Sequence, residues 1–90
     1  MVNVEFTSLL KRFFPTLTSV EVEASTVKDL LEEIDKEYSG LSGYLIEEHG
    51  GLRKHVNIFI NGNMVKDREK LSDVLNENDK VNIIQALSGG

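Results

Sequence analysis

Val2, Val4 and Phe6 alternate with Asn3, Glu5 and Thr7, the period-two pattern of a strand with one buried face. A second alternation runs through Val20, Val22 and Ala24, with Glu21 and Glu23 outward. The two are predicted to pair as an antiparallel hairpin across a long, irregular connection that begins Leu9-Leu10-Lys11-Arg12-Phe13-Phe14-Pro15. Phe13 and Phe14 are expected to fold back over the open end of the sheet rather than to form a patch for a partner, because only a contiguous exposed patch carries meaning.

The helix signals are the clearest in the chain. Thr26-Val27-Lys28-Asp29 has capping-box spacing with Asp29 in place of the commoner Glu, and Val27, Leu30, Leu31, Ile34 and Tyr38 recur as one apolar stripe that Ser39-Gly40 ends. Asp29, Glu32, Glu33, Asp35 and Glu37 fall largely off that stripe. They read as a solvated face rather than as acid/base or metal chemistry, since no oxygen-ligand loop spacing accompanies them. From Gly40 to Lys54 the pattern loosens: Leu41, Tyr44, Leu45, Ile46 and Leu52 are expected to pack beneath a connection with one helical turn at 44–48, and Gly50-Gly51 reads as a turn. The only histidines, His49 and His55, flank that turn and are too few for a metal site without further carboxylates.

Val56, Ile58 and Ile60 alternate with His55, Asn57 and Phe59, then Asn61-Gly62 gives a strong hairpin signal before Met64-Val65. Leu71, Val74 and Leu75, near Asp73, predict a short helical or 3₁₀ turn. The last strand is predicted over 80–85, with Val81 and Ile83 on one face and Ile84 and Ala86 on the other. A right-handed crossover through the helix brings a later strand beside the first, giving an α+β, β-grasp (ubiquitin-like) fold. Its mixed sheet of four to five strands carries one main helix on one face. The predicted core contains Val4, Phe6, Val22, Leu30, Ile34, Val56, Ile58, Val81 and Ile83. The other face is partly open, and Phe59, Ile84 and Leu87 form a candidate docking patch there, although ladder and edge packing accounts for them equally well.

Ninety residues bound the chain to one domain with a modest core. The expected division is a folded part over 1–86 and a flexible tail over 87–90. A net charge of −5 offers no phosphate-neutralising surface, so nucleic acid is a poor partner and a basic one is expected. With no cysteine there is no disulfide, thiolate zinc site, cysteine nucleophile or persulfide to assign. No basic segment followed by an apolar stretch opens the chain, and no run reaches a membrane span. A soluble, cytoplasmic protein is expected, without membrane association.

The candidate chemistry lies in Gln85-Ala86-Leu87-Ser88-Gly89-Gly90, where the last strand runs directly into a diglycine. With Gly at about 7% of residues, chance gives such an ending about 0.5% of the time. Residues without Cβ thread narrow channels, and a terminal carboxylate is ionised at neutral pH and competent to attack the α-phosphate of ATP. The acyl-adenylate so formed is open to a sulfur or amine nucleophile. The tail Leu87, Ser88 and Gly89 thus presents Gly90 as the working group. No general acid, base, nucleophile, metal or cofactor is assigned within the chain, and an inert frayed terminus is the bland alternative.

Leu52 to Gly62, with its Val56-Asn57-Ile58-Phe59-Ile60-Asn61-Gly62 hairpin, and Asn78 to Gly90, with its terminal diglycine, resemble the MoaD/ThiS family of sulfur carriers. Ser19 to Glu23, Val27 to Leu31 and Tyr38 to Leu41 are similar as well, so the likeness spans essentially the whole chain. The resemblance implies that a ubiquitin-activating-like enzyme adenylates Gly90 and that a sulfur donor then converts it to a thiocarboxylate. The sulfur goes to molybdopterin, thiazole, cysteine or tRNA thiouridine through an acceptor enzyme, such as a molybdopterin synthase large subunit or a cysteine synthase-like enzyme; the segment from Gly40 to Lys54 is closer to the molybdopterin-type and cysteine-type carriers than to the shorter thiazole carriers. Two other hypotheses stand beside it: a ubiquitin-like modifier joined through Gly90 to lysines of other proteins, and a plain interaction module with an inert tail.

Overall fold

β-branched and alternating segments become strands, and the one long apolar stripe becomes the one long helix. The computed structural model describes residues 1–85, apart from the side chains of Ser8 and Leu9. Expectations placed on Ala86, Leu87, Ser88, Gly89 and Gly90 lie outside those residues. The elements are β1 (Val2–Phe6), α1 (Ser8–Lys11), β2 (Val20–Val22), α2 (Val27–Glu37), α3 (Ser42–Leu45), β3 (Val56–Ile60), β4 (Asn63–Met64) and β5 (Lys80–Gln85). The sheet runs β2-β1-β5-β3-β4, with β1 and β5 parallel and the other pairs antiparallel. The fold is therefore the predicted β-grasp: a five-stranded mixed sheet with one main helix, and the last strand at its centre.

Register follows from the apolar alternation. Val2 faces Val22 and Val4 faces Val20, while Ile58 faces Ile83 and Ile60 faces Val81. A slip of one residue would turn each apolar set out to solvent, so burial of one face fixes the pairing. The β3–β4 turn is equally determined: Asn61 at φ 52° and Gly62 at φ 87° suit a two-residue hairpin turn, which sets Ile60 opposite Asn63 and Phe59 opposite Met64.

Val27, Leu30, Leu31 and Ile34 of α2 are buried against this sheet. Thr26 caps the helix through its Oγ1, which accepts the Asp29 N–H at 3.2 Å. Asp29 returns no bond, its side chain being one methylene shorter than the Glu of a full capping box. The carbonyls of Asp73 and Leu71 take the free N–H groups of Val27 and Lys28, at 3.1 and 2.9 Å. At the other end, the Asp35 carboxylate accepts the N–H groups of Gly40 and Ser42 and the Ser42 hydroxyl at 2.9 Å. Asp35 thus departs from the purely solvated role expected of it. Its bonds start α3 at Ser42, so the helical turn covers 42–45 rather than 44–48.

The segment around Leu71 also differs from expectation: the Leu71 N–H closes a single turn onto the Asp67 carbonyl at 3.1 Å, and no helical turn forms over 71–75. Asp67 accepts the N–H groups of Glu69, Lys70 and Ser72 and the Ser72 hydroxyl, and Asp73 accepts those of Lys66 and Asp67. Carboxylates that capture nearby amides compete with helix formation. Leu71, at φ 57°, and Leu75 still bury their side chains, whereas Val74 is exposed. Eight of the nine predicted core residues are buried; Phe6, at the end of β1, is only partly covered.

Two outcomes test this packing. Ile34→Ala should cost about 2–5 kcal/mol in denaturant unfolding, as expected for an aliphatic side chain lost from a filled core. Hydrogen bonds from Ser42, Lys70 and Asn76 lead the causes that hold Asp35, Asp67 and Asp79 below the usual carboxylate value of 3.8. Lowered folded-state values stabilise above the unfolded value, and that stability is lost as pH falls through the folded values. Melting temperature should therefore drop steadily below about pH 4, and Asp35→Asn should reduce the slope of that drop.

Candidate functional site

The site is the end of the sheet from which the chain leaves β5. Phe6 lies opposite Ile83 on the β1 side, and the Thr7 N–H reaches the Ile83 carbonyl at 3.2 Å. On the β3 side Val56 lies opposite Gln85. The Gln85 N–H donates to Thr7 Oγ1 at 3.4 Å. β5 is thus gripped on both edges up to Gln85, and the five residues after it start from a fixed root. Extended, they span at most about 16–18 Å. Gln85 Oε1 is buried with no hydrogen-bond partner among the described residues.

Strand alternation places the expected patch on the open face. Phe59 is half-buried and Ile84 is 37% exposed, while Leu87 lies outside the described residues. Asn82 faces Phe59 across the ladder, and Ile84 is two residues further along β5, so the two apolar residues are diagonal neighbours. Met64, opposite Phe59 and 51% exposed, extends this patch and was missed from sequence. The Asn61-Gly62 turn was its available signal, since a two-residue loop dictates that pairing.

Arg68 is a second residue that sequence reasoning did not find. Its guanidinium donates to Asn57 Oδ1 at 3.0 Å, across the ladder from Ile84, and to the Arg53 carbonyl at 2.8 Å. Arg53 in turn gives two bonds to the Gly43 carbonyl. Both guanidinium groups donate to neutral oxygens, and neither forms an ion pair among the described residues. No sequence signal pointed to Arg68, whose place depends on the turn that Asp67 gathers.

The internal diglycine and the histidines stand apart from this site. Gly50 turns at φ 98°, and a Cβ on Gly51 would fall 2.6 Å from His49 Nε2. His49 lies 3.6 Å from Glu47 and 3.3 Å from Glu69. Among the described residues no group of three or more His, Asp or Glu side chains is arranged to hold a metal ion, and no helix is long and apolar enough to cross a membrane.

The model of the ThiS family matches residues 4–90. The chain is 34% identical over 88 residues to small archaeal modifier protein 3 of Haloferax volcanii, covering 88% of this chain and 95% of that protein. It is 28% identical over 91 residues to the sulfur carrier protein CysO of Mycobacterium bovis, covering 99% and 98%. Among solved structures, a chain of the Amycolatopsis orientalis BexX/CysO complex superposes with a TM-score of 0.86 at 22% identity over the full length of both. Taken with the central last strand and the match through Gly90, these similarities establish that the chain belongs to the ThiS family, as its resemblance to MoaD/ThiS proteins implied.

Proposed function

We propose that this protein is a sulfur carrier whose Gly90 carboxylate is the reacting group. A carboxylate oxygen attacks the α-phosphorus of ATP on a ubiquitin-activating-like enzyme, pyrophosphate leaves, and a sulfur donor then displaces AMP to give a thiocarboxylate. The globular part over 1–86 supplies the address and 87–90 the reach, while the partners supply catalysis. With no cysteine in the chain, sulfur has no side-chain thiol to occupy. The observation that carries this reading is the family match, which spans residues 4–90 and so takes in the diglycine. Full-length similarity to CysO favours a cysteine-type acceptor enzyme over a molybdopterin-type one. ATP-dependent activation of this kind assigns the protein to the cytoplasm.

A second reading has its own support, since the 34% identical relative is a small archaeal modifier protein. There an amine, the side chain of a lysine on another protein, displaces AMP and leaves an isopeptide bond. The two readings share the first step and part at the nucleophile.

Deleting Gly90 should abolish ATP-dependent activation while leaving the melting temperature unchanged, as a terminal truncation beyond the last strand removes little buried surface. Gly89→Val should impair activation in the same direction, because a β-branched side chain adds bulk and restricts the backbone in a narrow channel. Activation of the deleted protein at the intact protein's rate would refute both readings and leave the inert module.

Docking is assigned to the open face at Phe59, Met64 and Ile84; Leu87, the remaining residue of the expected patch, lies outside the described residues. Met64→Asp is the cleaner probe, because Phe59 is partly buried and its loss confounds folding with docking. Met64→Asp should weaken binding to the activating or acceptor enzyme about tenfold. Its cost in folding stability should stay within about 0.5 kcal/mol. Undiminished binding of that variant and of Ile84→Asp would remove the open face from the interface.

A further inference from the structure

A second apolar surface flanks the root of the tail, separate from the open face of the sheet. Phe13 stacks on Tyr44 with ring centroids 4.9 Å apart and planes 26° from parallel. Contrary to expectation, Phe13 does not fold back over the sheet and Tyr44 does not pack inside. They remain 53% and 39% exposed, while Phe14 meets Tyr44 edge-on and packs against the core.

Both rings are tied to the end of β5. The Phe13 N–H reaches the Leu10 carbonyl at 3.1 Å, the Leu10 N–H reaches the Thr7 carbonyl at 3.2 Å, and Thr7 holds Ile83 and Gln85. Tyr44 follows Gly43, whose carbonyl accepts Arg53 Nε and Nη2 at 3.1 and 2.9 Å. The Arg53 carbonyl accepts the N–H of Val56, and Val56 lies opposite Gln85. Lys11 and Arg12 are exposed beside Phe13, and neither has an ion-pair partner among the described residues. Arg53 and Arg68 donate to neutral oxygens, so among the described residues four cations without an ion-pair partner gather at this end of a chain whose net charge is −5.

We propose that the Phe13–Tyr44 stack is a second docking contact for the enzyme that adenylates Gly90, which meets it with an apolar surface rimmed by carboxylates. The proposal rests on the reading of Gly90 as the activated residue. The length of the tail selects the occupant: an enzyme that holds Gly90 must come within about 16–18 Å of Gln85 and so faces the end of the sheet where the stack stands. The chemistry of the surface selects the partner's character. Two rings already ordered against each other offer apolar area at small entropic cost, and aromatic side chains are frequent anchors of interfaces. Lys11 and Arg12, without an ion-pair partner among the described residues, attract a carboxylate rim and speed encounter with it.

The test uses the full-length protein and the adenylating enzyme purified from its host by carrier-dependent ATP–pyrophosphate exchange. Phe13→Ser/Tyr44→Ser should raise KM for the carrier about tenfold with kcat unchanged and the fold intact by circular dichroism. Arg12→Glu should also raise KM, and that penalty should vanish near 1 M salt, where the Debye length is about 3 Å. If the double variant loses its fold, the single Phe13→Ser, at a largely exposed position, decides by the same readout. A wild-type KM in the stack variant, while deletion of Gly90 still abolishes exchange, overturns the stack proposal and leaves the proposed function standing. Exchange that survives deletion of Gly90, or the absence of any carrier-dependent exchange in the host, overturns both.

Discussion

The insertion of β5 between β1 and β3 is the constraint on which the rest of this molecule depends. β5 is last in sequence and central in space, parallel to β1 and antiparallel to β3. Without it the chain has two separate hairpins, and α2 has no continuous apolar surface to cover. Because Val81 and Ile83 both face inward, closing the sheet and burying the core are one event. The same arrangement delivers Gln85 to the rim with bonds on both edges, so the tail departs from a rigid platform. A carrier that works through its terminus needs that geometry, since a loosely held root would spend part of each docking event on ordering itself.

Backbone groups left open by this sheet and helix are closed largely by aspartates and by the 66–75 segment. Leu71 and Asp73 lend carbonyls to the start of α2, and Asp35 gathers the amides beyond its end. Asp67 and Asp73 hold the intervening turn, and that turn places Arg68 over Asn57 on the open face. Chain closure and site construction thus share residues. The carboxylates that appear as excess negative charge in the composition include several that act as structural acceptors.

Regular elements were legible because their signals are periodic and local. The stripe of α2, the alternation of β1, β3 and β5 and the Asn61-Gly62 turn each specify a conformation and a face without reference to distant residues. What escaped depends on contacts between distant residues or on side-chain competition. The turn at Leu71 carries apolar spacing suited to a helix, yet two aspartates capture its amides. Tyr44 is apolar enough to be counted inside, yet the early start of α3 at Ser42 turns it outward, where Phe13 finds it. Phe59 followed from strand phase; Met64 was missed although the Asn61-Gly62 turn dictates its pairing with Phe59, and Arg68 is visible only once the fold around it is built.

The proposal that Gly90 carries sulfur is a chemical one. Intact-mass measurement of the protein isolated from its own host under non-reducing conditions addresses it most directly. The expected result is a species in which one oxygen is replaced by sulfur, converted back to the unmodified mass by hydrolysis and absent from a protein lacking Gly90. A protein present only at its unmodified mass, or in a ladder of larger adducts joined through isopeptide bonds to lysine, would contradict it.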